Sequence, residues 1–182
     1  NISAKPDGLL DYAHRLGLYE AQFSPAEGHG FCHLAQSGYI RMNKGAFELI
    51  FDVGEIGPQY QPGHAHADTL SFEMSVQGQR LIINSGISTY GISAKRLAQR
   101  STAAHSTVEI EGENSSEVWS GFRVARRASP FGLSINHKTD CVSCSHDGYK
   151  RLKHSPIHTR QISFGDDEIQ IDDTVSAKSL NA

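Results

Sequence analysis

The feature that most restricts the fold is a series of short runs rich in β-branched and aromatic residues, separated by turn residues. Turn sequences such as Asn43-Lys44-Gly45, Gln77-Gly78-Gln79 and Gly165-Asp166-Asp167 are typical of hairpins. The segments predicted to be strands are 31–36, 39–42, 46–53, 70–76, 80–84, 106–110, 121–127, 132–136, 141–146, 158–164 and 168–175. Many short strands with frequent turns predict an all-β fold, an antiparallel two-sheet β-sandwich.

One helix is predicted, near the start of the chain. Apolar residues at Leu9, Leu10, Ala13, Leu16 and Leu18 follow the helical period, which predicts a short connector helix over 9–19. We assign residues 1–28 to a connector from a preceding domain and residues 29–182 to the β-sandwich. The last predicted strand ends close to the end of the sequence, so we expect the sandwich to be truncated there.

Composition argues against several classes of protein. The formal net charge of -3 and the pI near 6.4 do not favour a nucleic-acid-binding protein. No apolar run is long enough to span a membrane, and the first residues do not resemble a signal peptide. Three cysteines cannot form a complete disulfide framework. Alternation along the predicted strand 141–146 places Cys141 and Cys144 on opposite faces, which argues against a zinc knuckle or a redox pair.

The segment Gly63-His64-Ala65-His66-Ala67-Asp68 concentrates titratable groups where a loop becomes a predicted strand. Residues two apart on an extended chain share a face, so we expect His64, His66 and Asp68 to converge. Such a group could bind a metal, hold an anion or transfer protons. The alternative is a polar start of a strand whose histidines only cap neighbouring carbonyls.

Two further motifs follow in order: the turn Ser85-Gly86-Ile87-Ser88-Thr89-Tyr90 and the block Arg100-Ser101-Thr102-Ala103-Ala104-His105-Ser106-Thr107-Val108. Together with the histidine motif, they make the chain resemble the β-domain of the heparinase II/III-like family of polysaccharide lyases, over roughly residues 31–175. The resemblance implies cleavage of an acidic polysaccharide by β-elimination. A uronic acid loses its C5 proton and then expels the O4 glycosidic oxygen.

The resemblance also implies roles for individual residues. His64 would face the substrate and act in catalysis, while His66, Asn84 and His105 would hold a divalent metal, usually zinc. Asn84 stands where the family has Asp, which weakens the site because an anionic oxygen is the better ligand. Asp68 could substitute only if the strand bends at its start. Two imidazoles that ligate one ion should have nitrogens roughly 3–4 Å apart.

Three more residues are predicted to bind substrate. Arg96 and Arg100 could hold carboxylates in the bidentate geometry that guanidinium groups favour, and Tyr90 lies beside the motif. The alternatives are that the arginines pair with Glu113 or Glu117 and that Tyr90 packs within its turn.

A second basic cluster occupies 150–160: Lys150, Arg151, Lys153, His154, His158 and Arg160. We expect it to be a solvated surface that could follow a polyanionic chain. The remaining histidines have no partner pattern and receive no predicted role: His14, His29, His33, His137 and His146.

We predict that this chain forms one wall of the cleft of a lyase acting on a uronate-containing glycan. The other wall, with the principal Tyr, would be an α/α-toroid N-terminal to this sequence. The alternatives are a non-catalytic carbohydrate-binding or scaffolding domain and, less well matched, a cupin-like metal oxygenase. The predicted partners are an acidic polysaccharide and the toroid. The family resemblance favours a periplasmic or secreted location.

Overall fold

The computed structural model describes residues 5–18 and 30–177. The helices are α1 (Pro6–Arg15) and α2 (Ala94–Gln99). The strands are β1 (Gly30–Leu34), β2 (Tyr39–Lys44), β3 (Phe47–Asp52), β4 (Phe72–Val76), β5 (Gln79–Ile82), β6 (Val118–Trp119), β7 (Arg123–Val124), β8 (Pro130–Asn136), β9 (Cys141–His146), β10 (Ile157–Phe164) and β11 (Ile169–Ser176).

The strands form antiparallel sheets, which confirms the predicted all-β sandwich-like class. One sheet has the order β1-β2-β3-β4-β5, a second has the order β11-β10-β9-β8, and β6 pairs with β7. The predicted turn at Gly45 joins β2 to β3, where Lys44 pairs with Phe47. Gly45 has a φ of 58°, which glycine adopts without the steric cost that a side chain would add.

The core lies between the two larger sheets. Alternate residues on β2 and β3 are buried, with Ile40 and Leu49 each 0% exposed. They belong to one apolar cluster with Val142 and Ile162 of the four-stranded sheet. The strand period of two thus turns one apolar face of each sheet inward, and burial of this surface from water stabilises the domain.

Some predicted elements differ from the structure. The helix begins at Pro6 and ends at Arg15, and residues 1–4 and 19–28 of the predicted connector lie outside the described residues. The prediction of a strand over 106–110 was wrong. The Ser106 hydroxyl there bonds to the backbone of Phe72, and Thr107 donates to the Thr69 carbonyl, so side chains replace ladder bonds.

Helix α2 was not predicted. Ser93 caps it by accepting a hydrogen bond from the Arg96 backbone N–H at 3.2 Å. The predicted strand 121–127 is shorter, with only Arg123–Val124 in β7. In the part of the chain that the structure describes, no helix is both long and apolar enough to cross a membrane.

Candidate active site and metal centre

The histidine motif lies on an extended loop that precedes β4. A 3₁₀ turn, Pro62–His64, leads into it, and regular strand geometry begins only at Phe72. The predicted alternation nevertheless holds in the burial of the side chains: Ala65, Ala67 and Thr69 are buried, His66 and Asp68 are partly buried, and His64 is exposed. The Ala67 N–H donates to the Arg100 carbonyl at 2.9 Å, which fixes the loop beside the segment that carries His105.

His66 and His105 lie side by side. The His66 Nδ1 to His105 Nε2 distance is 3.1 Å, and His105 Nδ1 lies 2.8 Å from the Ser101 carbonyl oxygen. A carbonyl only accepts, so His105 carries its proton on Nδ1 and directs the Nε2 lone pair at His66. Burial lowers the pKa of His66, as do the charges of His105 and of two arginines, against the opposing effect of Asp68. A neutral imidazole is the form that ligates a metal.

Asp68 completes a cluster with these two histidines. One ligand atom from each of the three residues lies within 4.8 Å of the others. Two imidazole nitrogens and a carboxylate oxygen match the donor set of zinc sites, so the residues fit a divalent ion that would replace the proton shared by the imidazoles.

Asn84, the amide predicted as a third ligand, lies next to this cluster. It lines a cavity of about 60 Å³ together with Asp68, Asp52 and Tyr39. Its Oδ1 accepts a hydrogen bond from the Gly86 N–H at 2.8 Å. The carboxylate of Asp68 and the amide of Asn84 therefore line the same cavity.

A cleft of about 340 Å³ opens over the motif. Its walls come from the 37–39 turn, the end of β3, the 55–61 loop and the motif itself: Ser37, Tyr39, Asp52, Glu55, Ile56, Gly57, Pro58, Gln61, His64, Ala65, His66 and Asp68. His64 is exposed, and its ring lies edge-on to Tyr90 with centroids 6.0 Å apart. Its imidazole is therefore accessible to a ligand in the cleft.

Asp52 is a cleft residue that the sequence did not single out. Burial and the charge of Asp68 raise its pKa to about 7 from an ordinary 3.8, although a hydrogen bond from the Gly54 N–H opposes the shift. This carboxyl therefore exchanges a proton near neutral pH. In the sequence, a single Asp at the end of an apolar strand does not indicate that its pKa is raised.

Arg96 and Arg100 are both 0% exposed. Arg96 donates to the carbonyls of Gly63, Thr89 and Gly121, and Arg100 donates to those of Ala65, Ser120 and Arg123. In this structure both guanidinium groups hold the motif loop against the β6–β7 hairpin. Glu113 and Glu117 pair instead with Arg151, and Glu117 also pairs with Arg126.

Tyr90 and Phe122 present exposed rings next to the motif, at 58% and 44% of their surfaces. The Arg96 guanidinium lies 5.2 Å from the Tyr90 ring centroid and 4.5 Å from that of Phe122. The buried cation therefore holds both rings beside His64 through cation–π contacts.

The prediction of a solvated basic cluster was wrong for three of its members, one of which is Arg151, whose side chain is only 9% exposed. His158 is 0% exposed and Arg160 4% exposed, both on the inner face of β10. His146, which had no predicted role, is also 0% exposed, and its Nε2 lies 3.0 Å from His158 Nδ1. Alternation with Ile162 and Phe164 along β10 was the available signal, because residues two apart share a face.

Comparison with known proteins agrees with this architecture. Residues 26–181 match the family described as heparinase II/III-like, C-terminal, and the chain belongs to that family. No curated protein sequence matches the chain.

Three solved structures share the fold. A heparinase III gene product with methylated lysines is 21% identical, with a TM-score of 0.57 over 83% of this chain and 22% of that one. Another structure of a heparinase III gene product is 19% identical, with a TM-score of 0.59 over 92% and 25%. A heparan sulfate lyase HepC mutant from Pedobacter heparinus is 16% identical, with a TM-score of 0.61 over 92% and 25%. The chain thus spans about a quarter of the length of these proteins.

Proposed function

We propose that this chain supplies one wall of the cleft of a polysaccharide lyase that cleaves a uronate-containing glycan by β-elimination. The observation that carries the proposal is the exposed His64 imidazole in a cleft of about 340 Å³, next to the His66–Asp68–His105 cluster. Membership of the heparinase II/III-like family and the structural likeness to heparinases support it.

The reaction places three demands on the protein. The C6 carboxylate must be neutralised, a base must remove the C5 proton, and an acid must protonate the departing O4. His64 can meet one of these demands, because an imidazole can act as a general base or a general acid. We assign the remaining acid–base group to the facing wall, in a part of the whole protein outside this chain. Enclosure by that wall would exclude water and strengthen the polar contacts to the developing enolate.

The exposed rings of Tyr90 and Phe122 provide a surface on which a sugar ring could lie. Aromatic faces contact the apolar face of a pyranose, and Arg96 behind both rings adds positive potential that suits an acidic sugar. In this proposal the substrate-binding role predicted for Arg96 is indirect, through the rings it supports. Arg100 acts similarly on the loop, through the Ala65 carbonyl.

A divalent metal, zinc by preference, would be held by His66, Asp68 and His105, with Asn84 beside them. When bound, it would cross-link the motif loop to the loop that carries His105. We propose a structural role for it: the ion fixes His66 and thereby the position of His64 two residues away.

The test uses the full-length protein and follows the ultraviolet absorbance of the unsaturated uronate product. Heparan sulfate, heparin, alginate and hyaluronan are offered in turn. We expect turnover of at least one of them, and we expect His64→Ala to lose about 10²-fold or more in kcat. His137→Ala is the matched control, an exposed histidine whose ring contacts Phe31 far from the cleft. Turnover that His64→Ala leaves unchanged would contradict the assignment.

A second candidate is a non-catalytic carbohydrate-binding domain. Asn84, in place of the family's Asp, favours it, because a weaker metal site would matter less to a protein without turnover. Glycan binding by the full-length protein with no unsaturated product from any uronate polysaccharide would support this candidate against the lyase.

A further inference from the structure

Arg160 of β10 points into the sandwich and reaches the two loops that carry the His66–Asp68–His105 cluster. One guanidinium nitrogen, Nη1, donates to the Leu70 carbonyl at 2.7 Å and also to the Ser106 carbonyl. Leu70 lies two residues after Asp68, and Ser106 directly follows His105. A single side chain therefore joins the backbone beside one candidate ligand to the backbone beside another.

Shorter side chains join the same two loops. The Ser106 hydroxyl accepts from the Phe72 N–H at 3.0 Å and donates to the Phe72 carbonyl, and the Thr107 hydroxyl donates to the Thr69 carbonyl at 2.9 Å. These contacts tie the loops to each other. Only Arg160, among the described residues with such contacts, ties both loops to the opposite sheet.

Arg160 is itself fixed by Asp173 on β11. Nε donates to Asp173 Oδ1 at 2.8 Å and Nη2 donates to Oδ2 at 2.7 Å, a bidentate geometry that holds the guanidinium plane in one orientation. Burial alone would raise the pKa of Asp173, but hydrogen bonds from His158 and Arg160 outweigh it and lower the pKa. The carboxylate therefore stays charged as a partner for Arg160.

Two buried histidines complete this network. The Gly148 N–H donates to His146 Nδ1 at 3.1 Å, so His146 carries its proton on Nε2 and donates it to His158 Nδ1. His158 in turn donates from Nε2 to Asp173 Oδ1 at 2.7 Å. Every ring nitrogen has a partner while both rings are neutral, and burial together with His158 lowers the pKa of His146 to about 3.

We propose that Arg160 is a positioning residue for the His66–Asp68–His105 cluster, oriented by Asp173 and acting through the carbonyls of Leu70 and Ser106. This role rests on the proposed metal site, and Arg160 would help to set the geometry of that site. Loss of the Arg160 contacts would release both loops from the opposite sheet, and their backbones would relax although the Ser106 and Thr107 hydroxyls still join them. Outer-shell partners of metal ligands typically contribute about 10–100-fold to affinity, so we expect a loss of about tenfold or more.

The first measurement titrates the metal-stripped protein with Co²⁺, whose visible absorption reports ligand number and geometry. We expect Arg160→Met to weaken Co²⁺ binding by about tenfold or more and to change the spectrum. Arg160→Lys, which keeps the charge and can donate to the carbonyls, should recover part of the affinity. If Arg160→Met does not fold, Asp173→Asn replaces it as the test variant, and it should also weaken Co²⁺ binding.

The second measurement needs no metal. A hydrogen bond between His66 Nδ1 and His105 Nε2 gives a ¹⁵N–¹⁵N coupling across the bond in the NMR spectrum, and we expect Arg160→Met to lose it and Arg160→Lys to keep part of it. Val142→Ala is the matched control, because it shortens a fully buried apolar side chain of β9 and removes no hydrogen bond to either loop. It should lower stability while it keeps both the coupling and the Co²⁺ affinity.

The two measurements separate the failure of one idea from the failure of the other. A wild-type protein that shows the coupling but does not bind Co²⁺ would contradict the metal site. The positioning role of Arg160 would then be tested by the coupling alone. Arg160 variants that keep both the coupling and the affinity would overturn the positioning role. So would a Val142→Ala protein that loses both to the same degree, because the effect would then be one of general stability.

Discussion

Asp52 provides the sharpest prediction from the structure, because its protonation couples folding to pH. Its pKa is about 7 in the folded protein and 3.8 in an ordinary environment. When the folded pKa of an acid is raised, the stability present at low pH is lost progressively as the pH rises through the two values. We therefore expect the domain to lose stability between about pH 4 and pH 7 on account of this residue.

The size of the effect follows from the shift. About three pH units at about 1.4 kcal/mol per unit give roughly 4 kcal/mol in all, of which roughly 2.5 kcal/mol falls between about pH 5 and pH 8. This is an upper limit, since Asp52 lines the cleft and water there screens its charge. Asp52→Asn keeps the acceptor for the Gly54 N–H and removes the titration. The free energy of unfolding of the variant, relative to that of the wild type, should therefore rise by about this amount from the lower to the higher pH.

The assay is urea unfolding of metal-stripped wild type and Asp52→Asn across this pH range. Asp167→Asn, in the exposed turn between β10 and β11, is the control, and it should follow the wild-type curve. The reasoning would be refuted if the Asp52→Asn and wild-type stabilities kept a constant difference at every pH.

Four further outcomes are expected. Asn84→Asp should retain more zinc after dialysis than the wild type, because it adds an anionic oxygen beside the cluster; equal retention would count against a role for position 84. Arg96→Met should lower the free energy of unfolding by about 3 kcal/mol or more, because three carbonyls lose their donor, while Arg126→Met, on the exposed surface, should leave it nearly unchanged. If the full-length protein is the proposed lyase, Tyr90→Ala and Phe122→Ala in it should raise KM more than they lower kcat; a pure kcat effect would argue against sugar stacking. The chain alone, tested on uronate polysaccharides, should yield no unsaturated product, and a product signal that His64→Ala abolished would show that no facing wall is required.

The sequence by itself determined the local features of this protein. Alternating apolar residues and turn glycines are enough to define hairpins such as β2–β3, because the strand period and the turn conformation are properties of neighbouring residues. The same alternation predicted that His64, His66 and Asp68 lie on one face of the 64–69 segment, opposite the alternate residues. The ordered motifs around His64 and His105 also identified the family, since each motif is contiguous along the chain.

Only the tertiary structure decided which distant residues act together. The sequence favoured Asn84 as the third ligand, whereas the bend before β4 brings the carboxylate of Asp68 to the two histidines. In the sequence Arg96 and Arg100 could equally bind substrate or pair with a glutamate, because nothing along the chain reveals that six backbone carbonyls accept hydrogen bonds from them. Arg160 and His158 look like part of a solvated basic run for the same reason. Their partner Asp173 lies on the neighbouring strand, and the charge of a buried group is stable only where such a partner meets it in space.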